Sequence, residues 1–347
     1  MLTEELDVVI GVDTHEASHT LCLVSARTGA LVGEFELPAN RSGYRQALSL
    51  ARRRARRRLW ALEGTGSYGA GLARFLDARG EHVLEVERPC RNGRGSRAKS
   101  DPLDALRAAR AVIAGAASAS PRACGAREAL RVLLTTREGA VSVRRAGLNE
   151  LRALVVCAPE ALRERLRGRS PNALVGACLA LRPRAEQEPE LRATRLALRS
   201  CAQRVRSASR EAVALEREIA LQVSALAPVL LRLQGVGPIS AGFVLVAWSH
   251  PGRLKSEAAF ARLAGAAPIE ASSGKSVRHR LDRGGDRRLN RALHTILLCR
   301  RRSDPRTRAY IARRVSEGKS EREAVRCLKR YLARHLFRLL EGMRLAS

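Results

Sequence analysis

Between residues 7 and 115, apolar positions switch repeatedly between a period of two and a helical period. Asp7-Val8-Val9-Ile10-Gly11-Val12-Asp13 reads as a buried strand and His19-Thr20-Leu21-Cys22-Leu23-Val24 as a second. Leu31-Val32-Gly33-Glu34-Phe35-Glu36-Leu37 alternates as a third, with Thr28-Gly29 supplying the turn before it. Short turns between three strands predict an antiparallel meander. A basic helix over about 43–57 comes next, then a strand at Leu59–Glu63, a helix from Tyr68 to Ala78, a strand at His82–Val86 and a helix opening at Asp101-Pro102. The order β-β-β-α-β-α-β-α predicts an α/β mixed sheet flanked by helices.

From about 126 to 226 the pattern becomes long helix, interrupted near Pro159, Pro171 and Pro183. Leu191, Leu198, Val205, Ala212, Ile219 and Leu226 recur at heptad spacing, with Cys201, Ala208 and Leu215 three positions after their predecessors. This is an a/d seam of about five heptads on a helix roughly 60 Å long. Two partners satisfy it: the same helix of a second copy, or an intramolecular hairpin with 126–157, where Leu134, Val141, Leu148 and Val155 also step by seven. After Pro228 a second compact region of glycine turns, a small-polar loop and terminal helices begins. The division expected is therefore 1–115, 116–227 and 228–347.

Charge narrows the partner. The 347 residues carry 64 Lys+Arg against 34 Asp+Glu, a formal +30, with an ordinary 45% of hydrophobic residues. A folded protein with such a field is expected to bind nucleic acid, because phosphates release counterions as Lys and Arg neutralise them. Aromatics are only 3% of the chain, so a base-stacking platform is not expected and backbone and shape recognition is. The Arg52–Arg58 run is either a solvated helical face or a phosphate contact. The eight cysteines show no C-x-x-C pair or zinc spacing and read as reduced thiols. Thr3–Asp7 lacks the character of a leader and no 18-residue apolar run occurs, so a cytoplasmic protein without a membrane span is expected.

Four carboxylates carry the candidate chemistry. Asp13 ends the first strand, Glu63 ends the fourth, and Asp101 and Asp104 lie at i and i+3 on a helix start. With the first and fourth strands adjacent, all four converge at one end of the sheet and need a cation. Hard oxygen donors suit Mg²⁺ or Mn²⁺, and a pair of such ions serves phosphodiester chemistry. Asp101-Pro102-Leu103-Asp104 is also a good helix start in its own right. Glu63-Gly64-Thr65-Gly66-Ser67-Tyr68-Gly69 lacks a nucleotide-loop spacing, and its glycines are expected to let the chain turn tightly beside the carboxylates. Leu233-Gln234-Gly235-Val236-Gly237-Pro238 looks like a helix-hairpin-helix turn, in which Gly235 and Gly237 expose backbone N–H groups to a DNA phosphate, or like ordinary helix capping. Ala271-Ser272-Ser273-Gly274-Lys275 precedes a basic run that includes Arg280, Arg283 and Arg287; composition alone makes it only a loop.

Taken together, the motifs resemble the insertion-sequence one-ten family of DEDD transposases, described as bridge-RNA-guided recombinases. Gly11-Val12-Asp13, Leu62–Gly69 and Lys99–Ala105 resemble the three motifs of that family's RuvC-like domain. Gln234–Pro238, Gly265-Ala266-Ala267-Pro268 and Ser272–Lys275 resemble those of its C-terminal transposase domain, and all six stand in order. Asn290 follows Leu289 where relatives tend to show Arg, and Gly284-Gly285 is one glycine richer. The resemblance implies a ribonuclease H-like first domain, a coiled coil between the domains, metal at Asp13, Glu63, Asp101 and Asp104, and Ser273 as nucleophile. It further implies double-stranded donor and target DNA, an element-encoded guide RNA, a dimer or tetramer, and DNA contacts from Lys275, Arg280, Arg283 and Arg287. The residues alone leave two other readings open, a RuvC-like nuclease hydrolysing branched DNA and a non-catalytic nucleic-acid scaffold.

Overall fold

Continuous apolar runs buried on both faces, with one alternating edge strand, build the first sheet. The structure, a computed structural model, describes residues 5–86, 101–116, 119–185, 187–270, 279–280 and 284–343. One compact unit comprises Met1–Cys124 with Ser249–Lys255. In it β1 (Val8–Thr14), β2 (Ser18–Ser25) and β3 (Leu31–Pro38) form the meander, followed by α1 (Arg41–Arg54), β4 (Arg58–Glu63), α2 (Ala70–Asp77), β5 (Val83–Val86) and α3 (Asp101–Ile113). The strand order is β3-β2-β1-β4-β5. β1 runs antiparallel to β2 and parallel to β4, with Val12 opposite Leu62, and β4 runs parallel to β5.

Each face of this sheet has its own core. Ile10, Val12, Trp60 and Leu62 pack under α1 and α2, whereas Val9, Cys22, Leu59 and Ala61 pack under Ala105, Ala108, Ala109 and Val112 of α3. α1 starts two residues before the expected position because Asn40 Oδ1 accepts from the Ser42 and Gly43 amides. It stops at Arg54 rather than near 57, where the Arg57 amide instead donates to Asp7 Oδ2. Beneath it, buried Glu81 accepts from Arg52, Arg58 and Trp60 Nε1, so part of the arginine run pairs internally. The 249–255 segment belongs to this unit as well. Ser249, left-handed at φ 78°, accepts from the Ala123 amide, and Arg253 donates to Glu85 at 3.1 Å.

The other unit, Gly125–Trp248 with Ser256–Ser347, is mostly helical. It contains α4 (Ala126–Val156), α5 (Glu160–Leu166), α6 (Pro171–Leu179), α7 (Pro189–Leu226), α8 (Pro228–Leu231), α9 (Pro238–Trp248) and α10 (Glu257–Leu263). A small ribbon of β6 (Ile269–Glu270) and β7 (His279–Arg280) follows, then α11 (Arg287–Ser303), α12 (Pro305–Ser316) and α13 (Glu321–Glu341). Of the two partners that suit the heptad seam, the chain supplies one itself. α7 lies antiparallel on α4, with Cys201 Sγ donating to Gly147 O at 3.2 Å and the pairs Arg204–Glu150 and Arg137–Glu216 flanking the contact. Leu198, Val205, Ala212 and Ile219 are buried in that hairpin. Every described cysteine is a free thiol, and burial pushes the Cys22 and Cys178 thiols up to about 11.

Candidate metal centre

The period of two places Val9, Gly11 and Asp13 on one face of β1, and Leu59, Ala61 and Glu63 on the same face of β4. Both acids therefore stand at the same end of adjacent parallel strands, and both are buried, at 3% and 4% exposure. α3 covers this face at very close range. A Cβ on Gly11 would fall 1.9 Å from the Ala105 carbonyl oxygen, so only glycine admits the helix here. The alanines of α3 complete the fit, and Cys22 Sγ donates to Pro102 O at 3.3 Å. This docking sets the first turn of α3 at the strand ends.

There His15 stands between two carboxylates. Its Nε2 lies 3.1 Å from Asp13 Oδ2 and 3.3 Å from Asp101 Oδ1, and these three donor atoms all lie within 4.8 Å of one another. Asp13 is buried while Asp101 and His15 are half-exposed, so the cluster opens on one side. Sequence reasoning missed His15. The signal was present in the period-two spacing Gly11, Asp13, His15 at a strand end, although β1 stops at Thr14 and the His15 amide closes the turn by donating to Ser18 O.

Glu63 and Asp104 are not among these three clustered donors. Glu63 is fixed at the end of β4, where its carbonyl accepts from Thr14 Oγ1 at 3.1 Å. Asp104 accepts from Arg107 Nη1 at 2.8 Å on its own helix. The loop after Glu63 turns tightly, as its glycines lead one to expect. Gly64 has φ +63°, and a Cβ on Gly69 would lie 2.9 Å from Glu63 O. Buried carboxylate oxygen with one imidazole nitrogen fits a divalent cation of the Mg²⁺ to Mn²⁺ range, and such an ion would neutralise the two acids.

In the helical unit the sequence-derived residues have other surroundings. Gly235, at φ +78°, backs onto α11, where a Cβ would meet Ile296 O at 2.9 Å, and Arg300 Nε donates to Gln234 O at 2.8 Å. Gly237 faces open space just before α9. Arg287 is exposed as the first residue of α11, which Asp286 caps. Arg280 lies in β7, opposite Ile269. Ser273, Lys275 and Arg283 lie outside the described residues. Asn290 is a structural link: it donates to Ala264 O at 2.6 Å and accepts from Lys329 Nζ at 3.0 Å. Gly285, at φ +82°, has no room for a Cβ beside Leu263 O.

Comparison with known proteins bears on both units. Residues 10–157 match a family model described as a transposase, the DEDD type of IS110 elements, and residues 227–312 match the one described as the transposase IS116/IS110/IS902 family. A relative from Streptomyces coelicolor, an uncharacterised 43.6 kDa protein of insertion element IS110, is 35% identical over 130 residues. That match covers 37% of this chain and 32% of the relative, so the aligned part spans about a third of the relative's length. The carboxylates at the sheet end fall inside the first matched region and the Gly235–Gly237 turn inside the second. The chain belongs to the IS110 family of insertion-sequence transposases.

Proposed function

We propose that the chain is a metal-dependent DNA recombinase that moves an insertion sequence by cutting and rejoining strands under the direction of an element-encoded RNA. The observation that carries this reading is the Asp13–His15–Asp101 cluster at one end of the sheet, with Glu63 at the end of the neighbouring strand. The first three antiparallel strands, the parallel β1-β4-β5 set and the helix on one face support a ribonuclease H-like (RuvC-like) domain over 1–115. A helical connection at 116–227 and a transposase domain at 228–347 complete the functional division. Among the described residues no helix is long and apolar enough to cross a membrane. The +30 charge supports action on double-stranded donor and target DNA, and we place the protein at the nucleoid in the cytoplasm, as a dimer or tetramer, as part of the same proposal.

In this reading Asp13, Glu63, Asp101 and Asp104 hold Mg²⁺ or Mn²⁺, which when bound supplies positive charge for phosphodiester chemistry. Ser273 is the nucleophile. Its Oγ gives up its proton and bonds to phosphorus as the P–O bond to one DNA strand breaks, and that proton ends on the departing DNA oxygen. The phosphoserine ester conserves bond energy, so attack by a hydroxyl of the new strand rejoins DNA and frees the serine without ATP. Lys275, Arg280 and Arg283 offset charge on the phosphorane, and Arg287 with the Gly235–Gly237 turn holds backbone phosphates. The test is to trap labelled DNA on the protein: Ser273→Ala should form no adduct yet still bind DNA and RNA. An undiminished adduct would remove Ser273. A second reading, hydrolysis by water, is favoured by a carboxylate–imidazole cluster drawn from the sheet unit alone, and it would show as metal-dependent cleavage with no adduct in the wild-type protein.

A further inference from the structure

We propose that His15 is itself a ligand of the cation at this centre, through Nε2, and that it biases the site toward manganese-class ions over magnesium. The proposal rests on the carboxylate-metal reading above and adds a nitrogen donor to the four acids. Three observations carry it. The first is spacing. Donor atoms in neighbouring positions around an octahedral ion with bonds of about 2.1 Å stand about 3 Å apart. His15 Nε2 stands 3.1 Å from one carboxylate oxygen and 3.3 Å from another.

The second is how the backbone presents the ring. β1 ends at Thr14, whose hydroxyl is tied to Glu63 O, and the His15 amide is tied to Ser18 O. Both anchors hold His15 at the sheet end beside Asp13, where α3 delivers Asp101. The third is donor chemistry. Mg²⁺ takes oxygen and dehydrates reluctantly, whereas imidazole nitrogen is a donor for first-row transition-metal ions, whose affinity order begins with Mn²⁺. A nitrogen among the three clustered donors thus discriminates between ions that four carboxylates would accept alike. His15 is half-exposed, so its removal leaves no buried cavity.

The experiment uses the full chain and the metals alone. Mn²⁺ is bound and examined by pulsed electron paramagnetic resonance for coupling to an imidazole ¹⁴N, and Mn²⁺ and Mg²⁺ dissociation constants are measured by titration. The expected result is a ¹⁴N coupling in the wild type that disappears in both His15→Ala and Asp13→Asn. In His15→Ala the preference for Mn²⁺ over Mg²⁺ should fall at least about tenfold, on the scale by which even a supporting partner of a ligand changes affinity. Mn²⁺ binding that Asp13→Asn abolishes, without ¹⁴N coupling and with an unchanged preference in His15→Ala, would overturn the role of His15 and leave the carboxylate reading intact. Absence of Mn²⁺ and Mg²⁺ binding in the wild type, or binding unaffected by Asp13→Asn, would overturn the reading on which both stand.

Discussion

Gly11 and Gly147 are two glycines at close packing contacts, one in the sheet unit and one in the helical hairpin, and they differ in what a side chain would strike. At Gly11 it meets backbone, the Ala105 carbonyl at 1.9 Å. At Gly147 it meets the end of a side chain, Val205 Cγ2 at 2.7 Å. A helix backbone cannot yield without undocking, whereas a valine can shift with its neighbours. The sheet unit is therefore built to fix positions and the hairpin to fill space, and the candidate chemistry stands on the part that cannot give way.

The largest effect is expected at Gly11. Gly11→Ala should cost about 3 kcal/mol or more, the upper range for overpacking a core, because α3 must lift off β1. Asp101 would leave Asp13 with it, so loss of Mn²⁺ binding should accompany the lower midpoint in urea. A variant as stable as wild type would show that the close approach is not needed.

Next in size is the ionic contrast. Glu81 is buried with three donors to satisfy, and Glu81→Ala leaves Arg58 and the Trp60 indole N–H without their acceptor, a loss of about 3 kcal/mol. Burial opposes its charge, but the Arg58 and Trp60 hydrogen bonds prevail and hold the carboxyl below its ordinary 4.5. Its stabilisation is therefore complete above that value and is lost as pH falls through the lower folded value, so the acid limb of a stability profile should flatten in Glu81→Gln. In the hairpin, the Arg204–Glu150 pair has side chains 57% and 48% exposed, and Glu150→Gln should change stability by less than about 1 kcal/mol, more weakly still in high salt. The smallest effect is expected at Gly147→Ala, where helix propensity gains up to about 1 kcal/mol and the shift of Val205 offsets part of it. Calorimetry should place it close to wild type, and a loss like that of Gly11→Ala would erase the distinction.

The same contrast explains what could be read from the chain. Alternation in β1 and β4 places Asp13 and Glu63 on one face because a strand allows no other arrangement, and the glycines after Glu63 mark the turn that follows. The heptads of α7 were legible but their partner was not, since a seam specifies an apolar stripe and either a second copy or α4 satisfies it; Gly147, Glu150 and Arg137 decide it within the chain. His15 continues the step of two from Gly11 and Asp13, but it lies one residue past the strand end, where that spacing alone does not fix direction. The return of 249–255 to the sheet unit depends on a left-handed serine and on the Arg253–Glu85 pair, neither of which has a periodic signature.

In the proposed reading, the acidic sheet end is the reacting centre. Its most direct test is cleavage of labelled DNA carrying the ends of the insertion sequence, measured with and without Mg²⁺ or Mn²⁺ for the wild type and Asp13→Asn. Cleavage should require the ion and fall at least about a thousandfold in Asp13→Asn, the scale of several kcal/mol of charge stabilisation, with DNA and RNA affinity unchanged. Cleavage by Asp13→Asn at the wild-type rate, or equal cleavage by the wild type after complete chelation, would contradict it.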